Sequence, residues 1–177
     1  MRIFLVRHGE TDWNKRNLVL GRSNVPLNDT GRKQAEDIAK QLSVIRLHRI
    51  YTSPLSRAKE TAAIIRTFQV PKCRCTVSNC LIEQDFGIFE GVSRCLPEYK
   101  TEKRKFYKRY KNGESYSDVV GRVYPFIKRV LKQQQSDVLL VTHGGICRII
   151  ANYFQDMENE DFASFKLGNC EMMTFEF

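Results

Sequence analysis

The chain has 177 residues, 42% of them hydrophobic and 28% charged, proportions that exclude a disordered chain and suffice for one globular domain with a sizeable core. No apolar run is long enough to cross a bilayer, and residues 1–8 lack the long apolar core and small-residue cleavage site of a signal peptide. The expected location is therefore the cytoplasm. A net charge of +9 favours anionic partners without separating nucleic acid from phosphorylated metabolites.

In chain order, short apolar runs predict strands over residues 3–7, 49–52, 73–78, 138–142 and 172–177. Between them, Ala35, Ile38, Ala39 and Leu42 follow helical spacing, as do Ala58, Thr61, Ala62 and Ile65. Val119, Val123, Phe126, Ile127, Val130 and Leu131 make a third helical stripe, and residues 146–154 read as a buried fourth helix. Asn28 is placed to cap the first helix, and Ser53 to cap the second with Pro54 at its first position. This alternation predicts an α/β fold, a three-layer sandwich with a mostly parallel central sheet and helices on both faces. Residues 93–115 belong to no strand and are expected to form a small basic helical lid on a single domain spanning 1–177.

The six cysteines show no paired C-x2-C spacing, so they are read as small buried hydrophobes, with no metal site. His48, in a polar loop, carries no role. The chemistry gathers instead at predicted strand ends, where open α/β sheets bind ligands. The first strand runs into Arg7-His8-Gly9-Glu10-Thr11, the second into Thr52-Ser53-Pro54-Leu55-Ser56-Arg57, and the fourth into Thr142-His143-Gly144-Gly145. Arg7 and Arg57 offer planar forks suited to phosphate oxygens, and a helix opening at Gly144 favours an anion. Two nearby guanidinium groups should keep His8 neutral, which is its nucleophilic form. A departing alkoxide needs a proton; Glu83, Asp85 and Glu90 all qualify on residue type, and the residues alone do not choose among them.

The ordered set of motifs resembles the histidine phosphatase superfamily, the phosphoglycerate-mutase-like proteins. Beyond the Arg7–Thr11 run it includes Asn14, Pro26-Leu27-Asn28-Asp29-Thr30-Gly31, Ser53-Pro54-Leu55-Ser56-Arg57-Ala58, Leu81-Ile82-Glu83, Glu90-Gly91, Gly113-Glu114-Ser115 and His143-Gly144-Gly145. The resemblance implies phosphomonoester hydrolysis through a phosphohistidine on His8, with Glu83 as proton donor. It places Arg7, Asn14, Arg57, His143 and Gly144 at the phosphate, and Ser23 and Asn24 at positions of substrate specificity. It implies no cofactor and no metal, and a small phosphorylated substrate such as α-ribazole phosphate.

Only about two dozen residues separate Gly91 from Ser115, without the long insertion of the mutases, so hydrolysis is favoured over the alternative, phosphoglycerate mutation. A third reading takes the basic stretch from Lys100 to Lys111, interleaved with Phe106, Tyr107 and Tyr110, as a surface for nucleic acid or a protein partner. Nucleic acid and membrane are the less favoured partners. Oligomeric state has no signature in the sequence.

Overall fold

The computed structural model describes residues 1–133 and 136–177. Its strands β1 (Arg2–Arg7), β2 (Arg49–Thr52), β3 (Arg74–Val77), β4 (Val138–Thr142) and β5 (Met172–Glu176) form one sheet in the order β3-β2-β4-β1-β5. The first four are parallel, and β5 runs antiparallel to β1 at one edge. Each strand lies within one residue, at either end, of its expected position.

The helices are α1 (Asp12–Lys15), α2 (Asp29–Leu42), α3 (Ser56–Thr67), α4 (Pro97–Glu102), α5 (Tyr116–Gln133), α6 (Gly144–Phe154) and α7 (Asn159–Ser164). The two-residue period of the central strands divides the core between the faces of the sheet. Phe4, Val6, Leu139 and Val141 pack with the apolar stripes of α2 and α3. Ile3, Leu5, Val138 and Leu140 pack with those of α5 and α6 on the other side. Leu42, fully buried at the end of the α2 stripe, contributes about 1.5–3 kcal/mol by that burial. Among the described residues no helix is long and apolar enough to cross a membrane.

Local chemistry explains most of the boundaries. Asn28 caps α2 by accepting from the Gly31 amide at 2.8 Å. Gly9 and Gly31 let the β1–α1 turn rest on the start of α2, because a Cβ on Gly9 would lie 2.4 Å from the Gly31 carbonyl oxygen. The α3 cap departs from expectation. The helix begins at Ser56 with Leu55 as N-cap, because Ser53 Oγ is taken by the Leu55 amide and by His143.

The lid is also less helical than expected: between residues 93 and 115 only α4 is α-helical. Turns complete the segment, held by a small apolar cluster of Val19, Phe86, Tyr99 and Tyr110. Some of its outer charges are paired, Lys105 and Lys108 with Glu102, and Arg109 with Asp118.

Candidate active site

Parallel pairing brings the reactive strand ends together. Arg7 stands opposite Thr142 in the β1–β4 register, the His8 amide donates to the Thr142 carbonyl at 2.9 Å, and the Ser53 amide donates to the Val141 carbonyl at 3.2 Å. His8, Ser53 and His143 therefore emerge side by side, and the two imidazole rings lie 5.1 Å apart between centroids. Both rings are buried.

His8 is held in one tautomer. Its Nδ1–H donates to the Gly9 carbonyl at 2.7 Å, which leaves Nε2 with the lone pair. Arg57 Nε–H donates to that nitrogen over a longer 3.2 Å. Thr61 Oγ1, on α3, accepts from the Gly9 amide at 3.1 Å, and Asn169 Nδ2 donates to the His8 carbonyl at 2.8 Å, so the backbone on either side of the ring is clamped. Burial, followed by the guanidinium groups of Arg57 and Arg7, holds the His8 imidazole well below its ordinary pKa of 6.5. The ring is neutral at physiological pH.

Arg57 is fully buried, and burial is the main reason its pKa falls to about 10. Its terminal nitrogens donate to the Ser23 and Gly21 carbonyls, each at 2.7 Å. Arg7 donates to the Leu167 carbonyl at 2.7 Å through Nη1, while its buried Nε has no partner among the described residues. His143 Nδ1 is likewise buried without a partner there. Ser53 Oγ accepts from the Leu55 amide and is hydrogen-bonded to His143 Nε2 at 2.6 Å. In the tautomer that takes the Ser53 proton at Nε2, His143 Nδ1–H is a donor. Unpartnered buried donors are costly unless a ligand acceptor meets them, and an anion does so best.

Of the three acidic candidates, only Glu83 lines the cleft, which measures about 270 Å³. Its oxygens accept from the amides of Gln84 at 2.9 Å and Gly145 at 3.2 Å. Asp85 instead closes a turn by accepting from the Gly87 amide. Glu90 binds the 21–23 loop, accepting from the amides of Arg22 and Ser23 and from the Ser23 hydroxyl.

Gly144 lines the cleft, as expected. Asn14, Ser23 and Asn24 are placed differently. Asn14 Oδ1 serves the capping box of α1, accepting from Thr11. Ser23 supports Arg57 with its carbonyl, and Asn24 Oδ1 accepts from the Ser56 amide at 2.8 Å. None of these three is among the residues that form the cleft wall, and neither are Arg57 and His143, which reach His8 from behind it. Sequence reasoning singled out Lys103 only within the basic stretch, and missed Ser53 as the partner of His143, and Arg94, Arg148 and Lys166 on the wall. A serine next to a strand end was the available signal for Ser53; the four cations come from segments far apart in sequence. Of the interleaved aromatics, Phe106 packs on Tyr116 and Phe162, Tyr110 is buried, and only Tyr107 is exposed, at 88%. Among the described residues, no group of three His, Cys, Asp or Glu side chains is placed to hold a metal ion.

Fold and site together define an α/β protein with a cationic cleft at the carboxyl ends of its parallel strands, centred on a neutral histidine. Residues 3–177 match the histidine phosphatase superfamily (branch 1), and the chain belongs to that superfamily. It is 31% identical over 177 residues to the uncharacterized phosphatase PhoE of Bacillus subtilis, covering 99% of this chain and 88% of that one. Over 190 residues it is 28% identical to a 2,3-bisphosphoglycerate-dependent phosphoglycerate mutase of Bartonella bacilliformis, covering 99% and 91%. Its fold superimposes on the α-ribazole phosphatase of Shigella flexneri with a TM-score of 0.84 at 26% identity, covering 99% of this chain and 90% of that one.

Proposed function

We propose that this protein is a phosphomonoester hydrolase that works through a phosphohistidine on His8. The observation that carries the reading is the His8 tautomer, with Nδ1–H committed to the Gly9 carbonyl and Nε2 left as the nucleophilic nitrogen beside Arg57. In the first step Nε2 forms a bond to phosphorus as the ester oxygen departs, and Glu83 gives that oxygen its proton. In the second step water attacks phosphorus, its proton passes to the Glu83 carboxylate, and the bond from Nε2 breaks. Arg7, Arg57 and the His143 Nδ1–H stabilise charge on the non-bridging oxygens in both steps. Gly144 borders the bound phosphoryl group, while Asn14, Ser23 and Asn24 act through the loops and caps they hold.

Transfer to water rather than to a second hydroxyl is supported by the short cover between Gly91 and Ser115. The cleft is at the small end of ligand pockets, which favours a small phosphorylated metabolite; α-ribazole phosphate, named for one structural relative, is one candidate. The packing of the partly buried Phe106 on Tyr116 and the burial of Tyr110 remove most of the stacking platform that a nucleic-acid reading requires. A cytoplasmic setting suits the six cysteines, all free here.

The test is phosphate release from α-ribazole phosphate, 3-phosphoglycerate and p-nitrophenyl phosphate in the presence of EDTA, by the wild type and by His8→Ala. Release that the substitution abolishes supports the reading. Isomerisation of 3-phosphoglycerate without release supports a mutase instead, and loss of activity on chelation overturns the mechanism.

A further inference from the structure

The cationic wall of the cleft holds more positive charge than one phosphoryl group uses. Five of its side chains are cationic, Arg7, Arg94, Lys103, Arg148 and Lys166, against the single carboxylate of Glu83. The charges fall into two groups. Arg7 and Arg57 act on His8, with Arg94 a weaker influence. Lys103 shares the same wall with Arg148, Arg94 and Lys166, whose charges act on it.

This second group is built by tertiary structure. Lys103 follows α4, Arg148 projects from α6, and Arg94 and Lys166 come from the loops before α4 and after α7. Arg148 is buried, with its terminal nitrogens fixed on the Tyr116 hydroxyl at 2.7 Å and the Phe165 carbonyl at 3.1 Å. Its buried Nε has no partner among the described residues. The half-buried Lys103 amine has no hydrogen bond or ion pair there either, and unlike the equally unpaired Lys100, Arg104 and Lys111 it is not exposed to solvent. Burial and then the three neighbouring cations bring the Lys103 pKa down to about 8. Like charges gathered in a partly dry cleft repel one another, and an anion between them relieves the repulsion.

We propose that Lys103, Arg148, Arg94 and Lys166 form a second anion subsite, so that the preferred substrate is a phosphomonoester carrying a further carboxylate or phosphate. This rests on the phosphomonoesterase reading above and narrows it. Esters of uncharged alcohols, nucleoside monoesters and the candidate α-ribazole phosphate among them, become the poorer substrates.

The experiment compares 3-phosphoglycerate and 1,3-propanediol bisphosphate with glycerol 3-phosphate, which lacks the second anionic group. Turnover is measured with the wild type and Lys103→Met, and binding is measured by calorimetry on the His8→Asn background. A charge-assisted contact in a partly buried site corresponds to about 10- to 100-fold in affinity. The wild type should therefore prefer at least one doubly anionic probe by that factor, and Lys103→Met should lower the preference about tenfold or more. The exposed Lys166→Gln should shift it the same way by a smaller factor. The two doubly anionic probes tell carboxylate from phosphate. Equal handling of all three probes by the wild type, or a preference that Lys103→Met does not change, overturns the subsite. Hydrolysis of every probe at equal efficiency would do so while leaving the phosphatase reading standing. Conversely, Lys103-dependent selective binding without turnover of any ester would uphold the subsite and sink the phosphatase reading.

Discussion

Replacing Glu90 with alanine should slow turnover although the side chain does not line the cleft. Its carboxylate accepts from the Arg22 amide at 2.7 Å, the Ser23 amide at 2.8 Å, the Ser23 hydroxyl at 2.6 Å and, more weakly, the Phe86 amide at 3.4 Å. The loop held in this way supplies the Gly21 and Ser23 carbonyls that orient Arg57, whose Nε reaches His8. Hydrogen bonds to a charged group contribute about 1.5–3 kcal/mol each when buried. Glu90 is only half-buried and the freed amides regain water, so Glu90→Ala should cost about 2–4 kcal/mol of stability. A shift of Arg57 by about 1 Å should lower kcat about 100-fold. Glu90→Gln keeps the shape but turns an amide hydrogen toward the Ser23 amide, losing about one bond and about tenfold in kcat. Urea denaturation and steady-state kinetics on p-nitrophenyl phosphate read the two effects separately. A folded Glu90→Ala protein with kcat within about twofold of wild type would refute the positioning argument.

Three further outcomes are expected. His8 and His143 are both neutral and buried, with pKa values well below the ordinary 6.5. The unfolded chain therefore takes up protons below that pH while the folded one does not, and stability present above pH 6.5 is lost as pH falls. The slope should approach about 1.4 kcal/mol per pH unit for each ring. Urea midpoints at pH 7.5 and 5.5 should differ less in a folded His143→Asn variant, and an unchanged difference would contradict the buried neutral ring. Gly145→Ala should lower kcat about 100-fold, because its Cβ would lie 2.6 Å from Glu83 Oε1 and push the carboxyl aside; at Gly144 the corresponding contact, 3.7 Å from Arg7 Nε, is ordinary and the loss should be much smaller. Arg57→Lys should reduce kcat/KM on the order of 100- to 1,000-fold, since an ammonium cannot hold two carbonyls and reach His8 at once; a loss below about tenfold would show that the planar fork is dispensable.

The amino-acid sequence by itself determined the layers and most of the site's raw material. The uninterrupted apolar runs 3–6 and 138–141, whose side chains the two-residue period of a strand sends to opposite faces, mark strands buried on both sides, and the stripe Ala35, Ile38, Ala39, Leu42 marks a helix that covers one of those faces. These signals are readable because they depend on periods of two and 3.6 residues within a single segment. Arg7, His8 and His143 were readable for a related reason, since each lies at or just beyond the carboxyl end of a strand, and Arg57 because it opens the helix that follows one. The residues alone left Glu83, Asp85 and Glu90 open and only the family resemblance favoured Glu83; the tertiary structure presents Glu83 to the cleft and spends the other two on a turn and a loop. It also moved the start of α3 beyond Ser53, whose hydroxyl goes to His143, ninety residues away in sequence. The gathering of Arg94, Lys103, Arg148 and Lys166 on one wall was invisible for the same reason. Which partner a polar group takes depends on what the fold brings within about 3 Å of it, and no local period encodes that.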